Sequence, residues 1–147
     1  MNAKFFASIL LVLLVGCMKN PEAFKPSTGQ VTLTTDRTIY AILDTIQIRI
    51  ENQSEDTITV GLRCNGAYLE LFYQRKEDGE WAPFQFFDYM SFRCPTLPHP
   101  IPPGTSYTHS LSAREFPYGG TYRFILPAYF HSVDSTRRVY SNIFEVQ

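Results

Sequence analysis

Three cysteines carry the most definite chemistry in this 147-residue chain, at positions 17, 64 and 94. Cys17 directly follows an apolar run from Phe5 to Val15, and Cys64 and Cys94 lie far beyond it. No two of them have the Cys-x-x-Cys spacing of redox motifs or zinc sites. No histidine stands at ligand spacing from a cysteine either. The sequence therefore predicts no metal centre and no cofactor.

The apolar run begins after Lys4 and ends in Leu14-Val15-Gly16-Cys17. A basic start, about ten apolar residues and small residues before a cut are typical of a secretory signal peptide. The run is too short for a mature membrane span, which needs about 20 residues. Leu-Val-Gly-Cys resembles the lipobox of bacterial lipoproteins. The resemblance implies cleavage before Cys17 and acylation of its thiol; an ordinary signal peptide with a chance cysteine is the alternative.

The chain then divides into three parts. Residues 1–16 are expected to form the signal peptide, and residues 17–29 the acylated cysteine with a flexible tether, since that stretch is polar and contains two prolines. Residues 30–147 are the length of one domain. Removal of residues 1–16 leaves 131 residues of this sequence, enough for a single hydrophobic core.

The charge balance limits the partners that this chain could have. It contains 13 Lys and Arg and 14 Asp and Glu, and the leader removes Lys4, so the mature charge is 12 − 14 = −2. This balance argues against a nucleic-acid partner, which would require a basic patch or stripe. No polybasic segment attracts anionic lipid, so the lipid on Cys17 must hold the protein to its membrane. We expect a bacterial cell-envelope location, at the outer membrane.

Export also bears on the other two cysteines. Cys64 and Cys94 form an even pair in a chain that is expected to be exported from the cytoplasm. Disulfides form and persist in the oxidising compartments that exported proteins reach. The sequence therefore predicts a Cys64–Cys94 disulfide.

The elements that must position these residues are strands. Thr45 to Asn52 alternates three isoleucines with polar residues, which is typical of a half-buried strand. Asp78-Gly79 indicates a hairpin turn, and the prolines of Pro95 to Pro103 predict an extended surface crossing outside regular sheet. The other predicted strands are Gln30 to Thr35, Thr57 to Cys64, Tyr68 to Arg75, Ser106 to Leu111, Thr121 to Leu126 (ended by Pro127) and Val139 to Val146. Seven to nine short strands indicate an all-β antiparallel sandwich.

From about Val31 to Val146 the order of motifs resembles the immunoglobulin-like domains of small bacterial envelope lipoproteins. The motifs are Pro103-Gly104-Thr105-Ser106, then Gly120-Thr121-Tyr122-Arg123-Phe124, then a closing Ser-Asn-x-Phe at residues 141–144. More loosely, the chain resembles the BsuPI-type proteinase inhibitors. The resemblance implies an immunoglobulin-like sandwich with a tyrosine corner at Tyr122. Phe124 stands where antibody-type domains have a cysteine, so the predicted disulfide is a different bridge.

An aromatic stretch is the remaining candidate for function. Its rings could form a platform for a sugar or a peptide, because aromatic faces combine apolar area with few rotatable bonds. The alternative, which we favour from sequence, is packing in the core and around the disulfide loop. The residues concerned are Trp81, Phe84, Phe86, Phe87, Tyr89 and Phe92.

The motifs of catalysis are missing from the sequence. It contains no Gly-x-Ser-x-Gly elbow, and His99, His109 and His131 are isolated from one another. We therefore expect a binding or structural accessory module rather than an enzyme. Its expected partners are the membrane, through Cys17, and another envelope protein or a glycan. The alternatives are a proteinase inhibitor that uses Pro95 to Pro103 as its inserted loop, and an enzyme.

Replacement of Cys17 tests the anchoring prediction. Cys17→Ser removes the thiol that would be acylated, so the variant should remain an unprocessed precursor without lipid. Metabolic labelling with an alkyne fatty acid and intact mass measurement check this outcome. Labelled Cys17→Ser protein would contradict the lipobox assignment.

Overall fold

A computed structural model describes residues 30–147 of the chain; the predicted signal peptide, Cys17 and the rest of the predicted tether lie outside the described residues. This part is an all-β sandwich with three short 3-10 helices at Asp88–Ser91, Ala113–Glu115 and His131–Val133. None of the helices described is long and apolar enough to cross a membrane. The strands, β1 to β13 in chain order, are Val31–Thr35, Ile39–Tyr40, Thr45–Asn52, Ile58–Arg63, Tyr68–Leu69, Phe72–Glu77, Glu80–Trp81, Gln85–Phe86, Thr96–Ile101, Thr105–Ser112, Gly120–Phe130, Ser135–Tyr140 and Phe144–Val146.

Two sheets form the sandwich. The smaller contains β1, β3 and β10, with β3 in the middle, and the larger contains the other ten strands. Within residues 30–147, nine strands have three or more residues and four have only two, so the seven to nine predicted strands correspond to the longer set. The described strand pairs are antiparallel except β2 with β13, which are parallel.

The larger sheet is organised around β11. One edge of β11 pairs with β13 and then with β12, while its other edge pairs with β6 and then with β4. Its side chains alternate: Tyr122, Phe124, Leu126 and Ala128 are buried in the core between the sheets. The intervening residues, which include Arg123, Ile125 and Pro127, therefore lie on the outer face of the larger sheet.

The core confirms the alternation predicted for β3. Ile46, Ile48 and Ile50 are fully buried and face the aromatic residues of the larger sheet. Burying each such side chain contributes about 1.5–3 kcal/mol to folding. The tyrosine corner is also confirmed, because the Tyr122 hydroxyl donates to the carbonyl of Tyr118 at 2.6 Å. This hydrogen bond fixes the entry of the chain into β11.

The prediction for Pro95 to Pro103 is wrong in one respect, because β9 forms a regular ladder with β4 over six residues. The Cys64 N–H donates to the carbonyl of Pro95 at 3.2 Å, which sets the phase of that ladder. Hydrogen-bonded and non-hydrogen-bonded residue pairs alternate along an antiparallel ladder, so the nitrogens of Pro98 and Pro100 face away from β4. A proline there loses no ladder bond, and β9 is an edge strand, where proline is tolerated.

Pro127 does not end the strand as predicted, because β11 continues to Phe130. Its nitrogen faces the gap between β6, which pairs as far as Ile125, and β4, which pairs from Tyr129. No ladder bond is therefore lost at Pro127. On this edge the pairing of β11 is interrupted between Ile125 and Tyr129.

Several other boundaries differ from the prediction. The strand expected from Tyr68 to Arg75 divides into β5 and β6, and the one expected from Val139 to Val146 divides into β12 and β13. The second division comes at Ser141, whose side chain bonds the backbone N–H of Phe124. Cys64, predicted as the last residue of the strand from Thr57, instead lies just beyond β4 in a turn with φ of 51°, where it is half-buried.

The Cys64–Cys94 disulfide is confirmed, with 5.0 Å between the Cα atoms. Arg63 reinforces it, because its guanidinium donates to the carbonyls of Met90 and Phe92 at 3.1 and 2.8 Å. The bridge and Arg63 together hold the end of the aromatic stretch against β4.

Reduction of the disulfide should lower the melting temperature by more than about 5 °C. A bridge that closes a loop of this length contributes about 3–4 kcal/mol by restricting the unfolded chain. Thermal unfolding followed by circular dichroism, with and without reductant, measures the shift. The double variant Cys64→Ala/Cys94→Ala should melt near the reduced protein and ignore reductant. An unchanged melt of the native chain on reduction would contradict the expectation.

Candidate functional site

The aromatic stretch divides between the core and the surface. Phe87 and Tyr89 are buried, as the core interpretation predicts, and the Tyr89 hydroxyl donates to the carbonyl of Leu69 at 3.0 Å. Phe84 and Phe86, however, are 41% and 59% exposed. The chain thus crosses from the outer face of the larger sheet into its interior within three residues.

Trp81 and Phe92 take intermediate and exposed places. Trp81 is half-buried at the end of the hairpin whose turn, Asp78-Gly79, has the positive φ values predicted for it. Phe92 is exposed and packs edge-on against Tyr68, near the disulfide and away from the outer-face rings. The six predicted residues therefore do not form one surface.

Strand pairing places the exposed rings on the outer face. In the β6–β8 pair Phe86 lies opposite Phe72, and their rings meet edge to face with centroids 4.9 Å apart. Phe84 contacts both, at 5.7 Å from each. These three rings form one wall of a groove.

The floor and second wall come from β11 and β12. We call this feature the outer-face groove; its volume is about 410 Å³ and its lining residues are Phe72, Phe84, Phe86, Ile125, Pro127, Thr136 and Arg138. Ile125 is only 2% exposed although it faces away from the core, so the rings and neighbouring strands cover it. The outer face therefore has a small apolar centre separate from the core.

A stacked arginine lies one step along β11 from the groove. The Arg123 guanidinium carbon is 4.2 Å from the centroid of Trp81 and 4.6 Å from that of Tyr140. Its Nε and Nη2 both donate to Gln74 Oε1, at 2.9 and 2.7 Å, and Gln74 Nε2 donates to the carbonyl of Ala82. These contacts hold the guanidinium in one orientation between two aromatic rings.

The second arginine of the face is Arg138, whose guanidinium carbon lies 5.3 Å from the centroid of Phe84. The carboxylate partners found within residues 30–147 are all on other cations, Arg37, Arg49 and Arg75. In that part of the chain neither Arg123 nor Arg138 has a carboxylate within 4.0 Å. The outer face is thus locally cationic and aromatic, on a chain with slightly negative net charge.

Sequence reasoning missed much of this site. The sequence alone does not single out Arg138, which lies with Arg137 on β12. The sequence also does not identify three further residues of the site, although each occupies an outward position in an alternating segment: Phe72, Arg123 and Tyr140. That alternation was the available signal, but it does not reveal which segments become neighbours in the sheet.

The three histidines do not come together. The ring of His99 packs at a tilt of 52° against that of Tyr107, with their centroids 4.6 Å apart. His109 Nε2 accepts a hydrogen bond from the backbone N–H of Leu69 at 3.2 Å. His131 is exposed near the far end of β11. Among the described residues there is no group of three or more His, Cys, Asp or Glu side chains that could hold a metal ion.

One hydroxyl–imidazole pair has the spacing of a nucleophile and base. Thr59 Oγ1 and His131 Nε2 are 2.8 Å apart on an exposed surface. The nearby carboxylate of Asp56 accepts from the backbone N–H of Ser132 at 2.7 Å, which holds the pKa of Asp56 below its usual range. That carboxylate is therefore engaged by the backbone and has no hydrogen bond to the imidazole.

Comparisons with known proteins add little to this geometry. No protein-family model and no curated protein matches the chain. Solved structures of a β-glucosidase from Listeria innocua are similar to it: the complexes with glucose and with gluconolactone both have 11% identity, with TM-scores of 0.39 and 0.38. Each match covers 81% of this chain, which spans only 16% of the length of the enzyme. Likenesses this weak carry no argument about activity.

The environment of His109 predicts a pH dependence of stability. Burial lowers the pKa of His109, and the bond from Leu69 requires a neutral ring. The unfolded chain takes up this proton near pH 6.5, before the folded chain does. The contribution of His109 to the free energy of unfolding is therefore complete above about pH 6.5 and is lost as pH falls through the lowered pKa.

Denaturant titrations between about pH 7.5 and 5 measure this loss. His109→Gln should show a flatter dependence of the free energy of unfolding on pH than the native chain. His131→Gln is the control: it removes an exposed histidine and should keep the native slope. Equal slopes for His109→Gln and the native chain would contradict the assignment.

Proposed function

We propose that this protein is a lipid-anchored binding module of the bacterial cell envelope, which works by docking rather than by catalysis. The outer-face groove is its docking site, and its partner is another envelope protein or a glycan. The observation that carries the proposal is the exposure of Phe84 and Phe86 around a buried apolar floor at Ile125.

The composition of the face supports this proposal. Exposed aromatic rings leave apolar surface in water, which favours association with about 25 cal/mol for each Å² later covered. Aromatic residues and arginine are the types most enriched at the centres of protein interfaces. Phe84, Phe86 and Arg138 supply these types at one place. Phe86 and Arg138 lie on strands that are fixed by backbone pairing, and Phe84 directly precedes one of them.

The anchoring part of the proposal rests on the sequence. The Leu-Val-Gly-Cys motif at residues 14–17 supports lipid attachment, and a tether of about 12 residues can span roughly 40 Å when extended. A domain so attached would reach partners beyond the lipid head groups. The docking site would then work close to the membrane that holds the protein.

The alternatives stay predictions. A proteinase inhibitor would have to present Thr96–Ile101 as a strand bonded to β4, since that segment is not a free loop. An enzyme could use the exposed pair of Thr59 and His131, although the neighbouring carboxylate of Asp56 accepts from the backbone N–H of Ser132. Neither arrangement favours its function over docking.

Substitution of the two exposed rings tests the proposal. Phe84→Ala/Phe86→Ala should reduce the recovery of envelope components crosslinked to the protein by at least about fivefold, because the wall of the groove is removed. The measurement is quantitative mass spectrometry of crosslinked products from intact cells, with a parallel assay of retention on isolated cell-wall glycan. Undiminished recovery in both assays would contradict docking at this groove.

A matched control is available elsewhere on the surface. Tyr118 and Ile143 are also exposed apolar residues, and neither lines the outer-face groove. Tyr118→Ala/Ile143→Ala should leave recovery unchanged. This control should melt close to the native protein, since exposed side chains contribute little to stability. The melting temperature of Phe84→Ala/Phe86→Ala is measured beside it, because those rings also cover Ile125.

A further inference from the structure

We infer that the outer-face groove takes one apolar side chain of a partner protein, presented by an extended segment with a carboxylate two residues before and two residues after it. The inference rests on the proposed function and specifies its partner: a protein segment of the pattern acidic–x–apolar–x–acidic. The shape of the groove, the charge of its rim and the spacing along β11 each support this occupant.

The shape of the groove favours a compact apolar group over a sugar. The rings of Phe72 and Phe86 are perpendicular, and the ring of Phe84 is tilted 57° and 71° to them. They form an edge-to-face cluster, in which an added aromatic or aliphatic side chain finds both ring edges and ring faces. A sugar would instead require a flat ring face with polar groups for its hydroxyls. The groove lining offers only Thr136 and Arg138 for that purpose.

The charge of the rim favours an acidic partner. Arg123 and Arg138 are held over aromatic rings and have no carboxylate partner within residues 30–147. A guanidinium forms its strongest hydrogen bonds with a carboxylate, often two at once. Part of the ordering cost is already met, because stacking and the bonds to Gln74 restrain Arg123 before any partner arrives.

The spacing of the two arginines sets the pattern of the partner. Arg138 lies opposite Pro127 in the β11–β12 pair, so the two arginines stand four residues apart along the direction of β11. Ile125, the floor of the groove, is midway between these levels. Four residues of an extended chain span about 13 Å, with alternate side chains on the same side. An extended segment along β11 would therefore place one apolar side chain over Ile125 and a carboxylate near each arginine.

Trp81 provides a direct measurement of binding. It is the single tryptophan of the chain and contacts Arg123, so its fluorescence reports on this site. The probe is the peptide acetyl-Gly-Asp-Ser-Phe-Ser-Asp-Gly-amide, titrated into the full chain purified in detergent. The comparison peptides replace both Asp with Lys, or Phe with Ala. The acidic peptide should change the emission saturably, and both comparison peptides should bind at least about tenfold more weakly.

Two variants of neighbouring residues separate the site from general charge effects. Arg138→Gln should weaken binding of the acidic peptide about tenfold, since it removes one of the two guanidinium groups that would bind the carboxylates of the peptide. Arg137→Gln removes the same charge from the same strand, but Arg137 contacts Phe130 and is not part of the groove lining. It should weaken binding less than twofold. Equal losses in the two variants, or equal binding of the lysine peptide, would overturn the inference.

A neutral oligosaccharide, cellopentaose, distinguishes the failure of this inference from the failure of docking itself. If it changes the Trp81 emission and the acidic peptide does not, the protein-segment inference is wrong and the docking function stands. If neither probe binds but Phe84→Ala/Phe86→Ala still reduces crosslinking, the inference is again wrong and docking stands. If neither probe binds and that variant crosslinks normally, both fail.

Discussion

The backbone pairing of β11 is the constraint on which the rest of the structure depends. This strand, Gly120–Phe130, has neighbours along both edges and therefore cannot shift its register without breaking four ladders. Because side chains alternate, the same register that puts Phe124 and Leu126 in the core puts Arg123 and Ile125 on the outer face. One face of β11 thus contributes to the stability of the core, and its other face contributes to the candidate site. A one-residue slip would exchange them, burying a guanidinium and exposing the centre of the core.

The aromatic stretch is useful because it is fastened at two places. Its middle enters the core through Phe87 and Tyr89, and its end is held by the Cys64–Cys94 bridge and by Arg63. Phe86 on β8, and Phe84 just before it, are therefore presented on a short segment next to these fixed residues. Such restraint matters for binding, because each side chain that must be ordered on association lowers the affinity. The disulfide thus helps to hold the end of the stretch near Phe92, in addition to its contribution to stability.

Local pattern allowed part of this structure to be predicted. The alternation of Thr45–Asn52, the turn at Asp78-Gly79 and the corner at Tyr122 depend on residues close in sequence, and each was confirmed. The site depends on pairings between distant segments. Arg123 meets Trp81, 42 residues earlier, only because β6 lies between β7 and β11. A single sequence contains no record of such neighbours. The predictions for Pro95 to Pro103 and for Pro127 were wrong for the same reason. Whether a proline breaks a strand depends on whether its nitrogen faces a paired neighbour, and the sequence does not show this.

The register of β9 also affects how copies of this chain can associate. An open strand edge can recruit the edge of another molecule, and repetition of that contact builds insoluble fibres. Of the three residues whose backbone faces outward on β9, two are Pro98 and Pro100, which have no hydrogen to donate. An incoming strand would find hydrogen-bond acceptors there without their matching donors. Pairing of one copy of the chain with another through this edge is therefore disfavoured, even at high local concentration.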